Sequence, residues 1–296
     1  MARVLINEGT LQSIANSVRN KTGSKEKMLP SEIPGAIDNI ETGGGEGVDI
    51  SELMASVADG SYPFGDYVGT EKALNGRMYS GQNINSYRNT NLISIGTDGA
   101  FTFSKMKNFS APNLETLNNK SNIFQYCQQL ITADIGKVTI LPTGSFYGCN
   151  KLTAVPNADI ITSIGQQCFS FNSVISDLDL EKVESIGPFA FAQCGNIKTI
   201  RLPSIITLSA NIFNNSNNIQ VVDIGDKCTS VINSAFSGCK IDLTLIVRAT
   251  TPPTLNGTFM LGSGGTVVSI RVPAESVDLY KVANNWKNYA PIISAI

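Results

Sequence analysis

Four cysteines recur at one position of a regular pattern, and thiols are the side chains here best suited to metal or redox chemistry. The position, three residues after a patterned phenylalanine, holds Cys127, Cys149, Asn172, Cys194, Ser216 and Cys239. Asn and Ser in two of the copies suit a small side chain in a bend better than a metal ligand. We therefore expect buried free thiols. A disulfide between Cys127 and Cys149 and a metal site are the open alternatives. Cys168 and Cys228 stand outside the pattern.

Charged residues recur at a second position, between the paired aliphatic residues of each predicted strand. A side chain there points away from the core. The position holds Asp134, Pro156, Asp179, Arg201 and Asp223. The four charged members, Asp134, Asp179, Arg201 and Asp223, are candidate ligand-binding residues. The pattern favours the alternative that they form only the solvated face of a sheet.

Several kinds of site are excluded or disfavoured. The chain has no histidine, which excludes a Ser-His-Asp triad, a Cys-His dyad and a His-ligated metal. Gly43–Gly45 and the LGSGGT segment at 261–266 lack the spacing and lysine of a phosphate-binding loop. Paired carboxylates for glycoside hydrolysis would need a cleft, and nothing interrupts the repeat to build one. We predict that the chain is not an enzyme and takes no cofactor. The net charge of −2 predicts no general affinity for nucleic acid.

Phenylalanine sets the pattern that positions these residues. It recurs at intervals of 22 or 23 residues as Phe101, Phe124, Phe146, Phe169, Phe191, Phe213, Phe236 and Phe259. A period held this tightly predicts a solenoid, whose turns stack on one another. Aliphatic pairs nine and eleven residues after each central Phe, such as Ile200 and Leu202, predict a strand with both side chains on one face. A further aliphatic, such as Ile186, precedes the next Phe by five residues and predicts a second apolar contact in a turn. The stacked strands are expected to form one long sheet.

The flanking segments predict a division into five parts. Residues 1–40 read as a helical docking or oligomerisation module, 41–47 as a Gly-rich linker and 48–91 as a connector that begins with a short helix. The repeats occupy residues 92–259. Residues 260–296 are expected to cap the array with a strand and then a helix that begins at Pro273 and carries Trp286, which would plug the open end.

Two segments resemble known families. The bend phenylalanine followed by Gly-Cys, as in SFYGCNKL and AFSGCKI, and the closing VPAESVDLYKVANNW resemble the BspA-type leucine-rich repeat over about residues 92–296. This resemblance implies a mainly β, leucine-rich-repeat-like solenoid and a role in adhesion. The leading IANSVRNKTGSKEKMLPSEIPGAIDNI resembles the N-terminal module of bacteriophage tail and fibre proteins from Gram-positive hosts. Ile14–Ala15, Lys21–Gly23 and Met28–Glu32 carry that second resemblance.

The resulting functional prediction is a bacteriophage tail, baseplate or fibre component. Residues 1–47 would attach to other virion proteins, and the repeats would face a host cell-surface protein or polysaccharide. The N-terminus lacks the apolar run of about 7–15 residues of a signal peptide. We therefore expect a virion protein made in the host cytoplasm. The sequence contains no run of about 18 apolar residues, so we expect no membrane insertion.

The sequence also allows a prediction of the oligomeric state and leaves two alternative functions open. Short N-terminal helices would gain from self-association, so a homo-oligomer is expected, with a trimer favoured. One alternative function is a bacterial surface adhesin of the BspA type. The other is a purely structural fibre or decoration protein without a receptor.

Overall fold

The computed structural model describes residues 64–77 and 79–296, which form a mainly β solenoid of about ten turns. Neighbouring turns lie about 23 residues apart along the chain. Each typical turn contains a main strand, a second and shorter strand, and a bend that places an aromatic ring in the centre. The predicted helices and linker within residues 1–60 lie outside the described residues. None of the helices within the described residues could span a membrane.

The main strands pair in parallel and alternate inward and outward side chains. One sheet of four contains β1 (Phe64–Val68), β3 (Ile84–Arg88), β5 (Asn108–Ser110) and β6 (Thr132–Asp134). A sheet of six contains β9 (Leu178–Asp179), β11 (Thr199–Leu202), β13 (Val221–Ile224), β15 (Asp242–Val247), β17 (Thr266–Val272) and β18 (Ile293–Ala295). The predicted inward pairs, such as Ile200 and Leu202 on β11, are fully buried.

A proline divides these two sheets. In the turn between β6 and β9, the segment around Pro156 forms no strand, and Pro156 itself is buried. Proline has no backbone N–H to donate to a neighbouring strand. The prediction of one long sheet is therefore wrong in this detail, and Pro156 does not occupy an outward position.

A second set of parallel strands runs along another side of the solenoid. These strands have two residues each: β2 (Ala73–Leu74), β4 (Ser94–Ile95), β7 (Ile140–Leu141), β8 (Ser163–Ile164), β10 (Ser185–Ile186), β12 (Thr207–Leu208), β14 (Ser230–Val231) and β16 (Thr254–Leu255). They pair as β2–β4, β7–β8–β10 and β12–β14–β16. Their second residues are buried aliphatics, and in β7, β8, β10, β12 and β14 these are the residues that the sequence places five residues before a Phe. These residues form short strands instead of the predicted turn contact.

The phenylalanines form a continuous inner column, which confirms the predicted core. From Phe101 to Phe236 every ring is buried, and successive ring centroids lie 5.0–5.9 Å apart in stacked arrangement. The backbone supports the column, since the N–H of Phe146 donates to the carbonyl of Cys168 at 2.9 Å, and the other turns repeat this bond. Burial of one such ring contributes about 1.5–3 kcal/mol, which a single turn could not achieve without its neighbours.

The solenoid also continues N-terminal to residue 92, into the segment interpreted from sequence as a connector. β1 and β3 pair in parallel register, and Tyr79 is buried with its ring stacked 5.2 Å from that of Phe101. Tyr79 precedes Phe101 by 22 residues and so keeps the period with a different aromatic residue. Polar strands such as INSYR lack the aliphatic pairs that identify later repeats.

The C-terminal cap follows the predicted order of strand and then helix, but its helix is broken into pieces. After β17, a 3-10 helix covers Ala274–Ser276, the α-helix α1 covers Val277–Val282, and a second 3-10 helix covers Trp286–Ile292. Ala283 is extended, with ψ of 148°, and Asn285 has φ of 63°. The predicted single helix from Pro273 to Trp286 is therefore wrong. The final strand β18, which pairs with β17, was not predicted.

Trp286 closes the end of the core, as predicted. Its side chain is 1% exposed, and its indole N–H donates to the carbonyl of Pro253 at 2.7 Å. Its ring meets those of Tyr280 and Phe259 edge-on, at centroid distances of 5.3 and 6.4 Å. The hydroxyl of Tyr280 donates to the carbonyl of Ala249 at 2.8 Å. The cap thus satisfies main-chain carbonyls of the last turns while it covers their apolar side chains.

Candidate binding surfaces

The cysteine column is a set of hydrogen-bond donors inside the solenoid. Each member donates to the carbonyl of the patterned phenylalanine one turn earlier. The donor–acceptor pairs are Cys127 Sγ to Phe101 (2.9 Å), Cys149 Sγ to Phe124 (3.0 Å), Asn172 Nδ2 to Phe146 (2.9 Å), Cys194 Sγ to Phe169 (3.1 Å), Ser216 Oγ to Phe191 (2.8 Å) and Cys239 Sγ to Phe213 (2.9 Å). The shared requirement is therefore a small donor. Sequence reasoning found the small size but missed the donor role.

The thiols of this column are poorly suited to chemistry. Burial raises the pKa of Cys194 to about 12 and that of Cys239 to about 11, and it raises the pKa of Cys168, which lies outside the column, to about 12. All six cysteines are free and buried. Since the thiolate is the nucleophile and the metal ligand, a raised pKa opposes both roles. The described residues also contain no cluster of three or more metal-ligating side chains.

The donor role of the column leads to a test at Cys194. We expect Cys194→Ser to change the free energy of unfolding by less than about 1 kcal/mol, because serine keeps a small donor, as Ser216 does in the next turn. Cys194→Ala should cost about 0.5–1.5 kcal/mol more than Cys194→Ser, because it removes this hydrogen bond while the carbonyl of Phe169 keeps those from Asn172. Urea denaturation of the three proteins measures the difference. Equal losses for the two variants would show that size alone matters.

Three of the four predicted charged residues do lie together on the outward face of the six-stranded sheet. Arg201 pairs in strand register with Asp179 on one side and with Asp223 on the other. Its Nη1 lies 3.1 Å from Asp179 Oδ2 and 3.4 Å from Glu181 Oε1. Arg248, which was not predicted, binds both carboxylate oxygens of Asp223 at 2.7 Å. The hydrogen bonds and charge of the neighbouring carboxylates raise the pKa of both arginines.

Asp134 lies apart from these residues. It is on β6 of the four-stranded sheet, beyond the break at Pro156, and is half-buried. Its carboxylate accepts hydrogen bonds from Ser110 Oγ at 3.2 Å and from the Gly136 N–H at 3.1 Å, so it holds a turn. A ligand on the charged face would have to compete with the ion pairs that Arg201 and Arg248 form there. The ligand-face hypothesis for these residues stays a prediction.

A second surface feature was not predicted: four aromatic side chains on the outside of consecutive bends. We call Phe103, Tyr126, Tyr147 and Phe171 the outer aromatic row. Successive ring centroids lie 5.1, 5.3 and 5.2 Å apart. Phe103 is 58% exposed and Phe171 41% exposed, while both tyrosines are half-buried. The row therefore runs along the solenoid, outside the inner phenylalanine column.

The backbone beneath the row is unusual for aromatic residues. Phe103, Tyr126 and Phe171 have φ of 60°, 57° and 63°, in the left-handed region that bulky side chains avoid. The equivalent position of other turns holds residues that tolerate this conformation better, such as Asn215 and Gly238. Such strain costs on the order of 1–3 kcal/mol for each residue and concentrates at functional sites.

The bends that carry the row are uncharged. Residues 99–104, 121–129, 143–150 and 165–173 include no Asp, Glu, Lys or Arg. Exposed amides and hydroxyls, such as those of Gln128, Asn150 and Ser173, lie in these segments. The short motifs FTF, FQY, FY and FSF were visible in the sequence. However, the direction of their second aromatic side chain depends on the left-handed backbone, which the repeat period does not reveal.

Comparisons with known proteins agree with this architecture. A family model described as "BspA type Leucine rich repeat region" matches in six copies, over residues 73–174 and 119–242. Among curated protein sequences, none matches this chain.

Solved structures give a likeness of fold. A leucine-rich repeat protein from Bacteroides ovatus is 18% identical to this chain, with a TM-score of 0.52. The match covers 69% of this chain and 62% of the Bacteroides ovatus protein. The pneumococcal vaccine antigen PcpA is 15% identical, with a TM-score of 0.36 over 79% of this chain and 78% of its own. A leucine-rich cell surface protein from Faecalibacterium prausnitzii is 14% identical, with a TM-score of 0.34 over 81% of this chain and 90% of its own.

Proposed function

Because the chain belongs to the BspA-type leucine-rich repeat family, we propose that its repeats form a surface-displayed adhesive domain that binds a ligand through side chains on the outside of the solenoid. The leucine-rich solenoid is a fold typical of binding proteins and adhesins rather than of enzymes. This proposal corresponds to the adhesin alternative drawn from the sequence.

The outer aromatic row is the observation that carries this proposal. The core already uses the inner phenylalanines, the aliphatic pairs and the cysteine column, all of which are buried. Phe103 and Phe171 add no such burial, yet they remain on strained backbone at the surface. Contiguous exposed aromatic side chains are typical of binding surfaces, where they contribute large contact areas with little loss of side-chain entropy. A ligand that covers these rings would bury their apolar surface, and that burial would favour binding.

Attachment to a phage particle remains a separate prediction. It rests on the resemblance of residues 14–40, which lie outside the described residues. A tail-fibre protein would use the same outward residues for binding, but it would be attached to a phage particle instead of a bacterial surface. The repeats are therefore common to the adhesin and the tail-fibre hypotheses, and the place where the chain is found distinguishes them.

Immunogold labelling of the encoding organism tests the location. With antibodies against the full chain, we expect label on the surface of intact cells, and we expect external protease to remove it. Label on released phage particles instead would support the tail-fibre hypothesis. Label found only after the cells are permeabilised, with none on particles, would contradict surface display.

Binding itself is tested with the purified full chain. We expect saturable binding of fluorescently labelled protein to at least one cell type in a panel of bacterial and epithelial cells, with competition by excess unlabelled chain. A purely structural fibre or decoration protein would show no saturable binding to any of these cells. That result would contradict the adhesive function.

A further inference from the structure

We propose that the outer aromatic row binds a neutral polysaccharide chain that lies along the solenoid axis. This inference rests on the proposed adhesive function and specifies its ligand class and its site. The site consists of Phe103, Tyr126, Tyr147 and Phe171, together with the amide and hydroxyl side chains of the same bends.

The geometry of the row suits a linear polymer. Its members come from consecutive turns, and the centroid spacing of 5.1–5.3 Å is nearly constant. A site of this form is long and one ring wide. A folded protein partner usually needs about 800 Å² of contact on each side, which a single row of four side chains does not offer by itself.

The rings do not all cover one another's faces. Phe103 and Tyr126 are nearly parallel, at 14°, but Tyr147 is perpendicular to Tyr126, at 83°. Phe171 is tilted by 57° from Tyr147. At the start of the row, Gly81 takes the equivalent place one turn before Phe103, and a side chain added there would meet nothing within 4 Å. The turn before Phe103 therefore presents no side chain at this position, and Phe103 is the most exposed ring of the row.

The chemistry of the bends selects a neutral, hydroxyl-rich ligand. Sugar rings present C–H groups to an aromatic face and hydroxyls at their edges. Amide groups such as that of Gln128 both donate and accept hydrogen bonds, as hydroxyl recognition requires. Single-stranded nucleic acid also stacks on aromatic rings, but it needs basic side chains that neutralise phosphates. The four bends themselves contain no basic residue, Lys105, Lys120 and Lys151 lie only at their ends, and the net charge of the chain is −2.

Retention of aromatic residues on left-handed backbone supports a role in binding. Asparagine at the same positions would relieve strain, as Asn215 does in a later turn at φ of 57°. The triple variant Phe103→Asn/Tyr126→Asn/Phe171→Asn is therefore expected to keep its melting temperature within about 4 °C of the wild type, because strain relief offsets the lost ring contacts.

Affinity electrophoresis of the full chain tests the inference. The probes are three neutral polysaccharides (amylose, a β-glucan and an α-mannan) and two anionic polymers (hyaluronan and single-stranded DNA). We expect at least one neutral probe to retard the wild type, and we expect the triple variant to bind that probe about tenfold more weakly or worse. The matched control, Ile140→Asn/Ile206→Asn, removes apolar side chains that are 50% and 47% exposed but lie outside the row. It should bind within about twofold of the wild type.

Several results would overturn the inference. They are no retardation by any neutral probe, equal retardation of the wild type and the triple variant, or a preference for the anionic polymers. A triple variant that fails to fold is replaced by the single variant Phe103→Asn, which alters the most exposed ring of the row.

Cell binding separates failure of this inference from failure of the proposed function. Periodate treatment of the cells, which cleaves sugar diols, should abolish binding, whereas protease treatment should not. Binding that survives periodate and the triple variant but is lost after protease treatment would keep the adhesive function and reject the polysaccharide site. Absence of cell binding by the wild type would reject the adhesive function itself.

Discussion

Replacement of Phe191 by alanine is expected to lower the free energy of unfolding by about 3–5 kcal/mol. Phe191 is fully buried near the middle of the inner column, with stacked neighbours at 5.3 Å (Phe169) and 5.9 Å (Phe213). Its removal leaves a cavity between two turns that both depend on the contact. The shift in melting temperature should be roughly 6–20 °C for a domain of this size, measured by calorimetry or circular dichroism.

The matched control for this prediction is Phe103→Ala. It removes the same side chain from the outer aromatic row, where Phe103 is 58% exposed. We expect a loss below about 1 kcal/mol, since little buried surface is involved. Similar melting temperatures for Phe191→Ala and the wild type would show that the inner column does not stabilise the solenoid.

Replacement of Trp286 by alanine is the second change with a large expected effect, again about 3–5 kcal/mol. The indole fills the end of the core beside Tyr280 and Phe259, and its N–H binds the carbonyl of Pro253. Repeat arrays depend on such caps because the last turn has no further neighbour to cover it. We expect increased binding of a hydrophobic dye and faster proteolysis near the C-terminus, in addition to a lower melting temperature.

Trp286→Phe separates the two contributions of the indole. Phenylalanine keeps an aromatic ring in the cap but leaves the carbonyl of Pro253 without its donor, which should cost about 1–3 kcal/mol. If Trp286→Ala unfolds no more easily than Trp286→Phe, the ring does not act as a plug.

The repeat period predicted the fold well because it reports burial directly. The spacing of phenylalanine and the aliphatic pairs gave the solenoid, the inner column and the inward faces of the strands. Period alone did not show where pairing stops. Pro156 was visible in the sequence, but its effect on the sheet depends on the strand that it would have joined. Tyr79 was overlooked because it keeps the period with a different residue type.

The surface was less predictable than the core. Strand alternation correctly placed Asp179, Arg201 and Asp223 on one outward face, but their ion pairs depend on strand register, which sequence does not give. The outer aromatic row depends on a local backbone conformation that aromatic residues seldom adopt. A propensity argument would therefore have assigned Phe103, Tyr126 and Phe171 to other conformations.

The interruptions of the two strand sets have a consequence for how the rod responds to stress. The main sheet is interrupted at Pro156, where β7–β8–β10 is continuous. The short strands are interrupted between β4 and β7, where β5 pairs with β6, and between β10 and β12, where β9 pairs with β11. The interruptions are thus staggered: wherever one set of strands is interrupted, the other set is continuous. In a linear lattice with nearest-neighbour coupling, coincident gaps would divide the array into independently melting blocks. Staggering keeps main-chain coupling across all three gaps, so the described turns can transmit tension as one body.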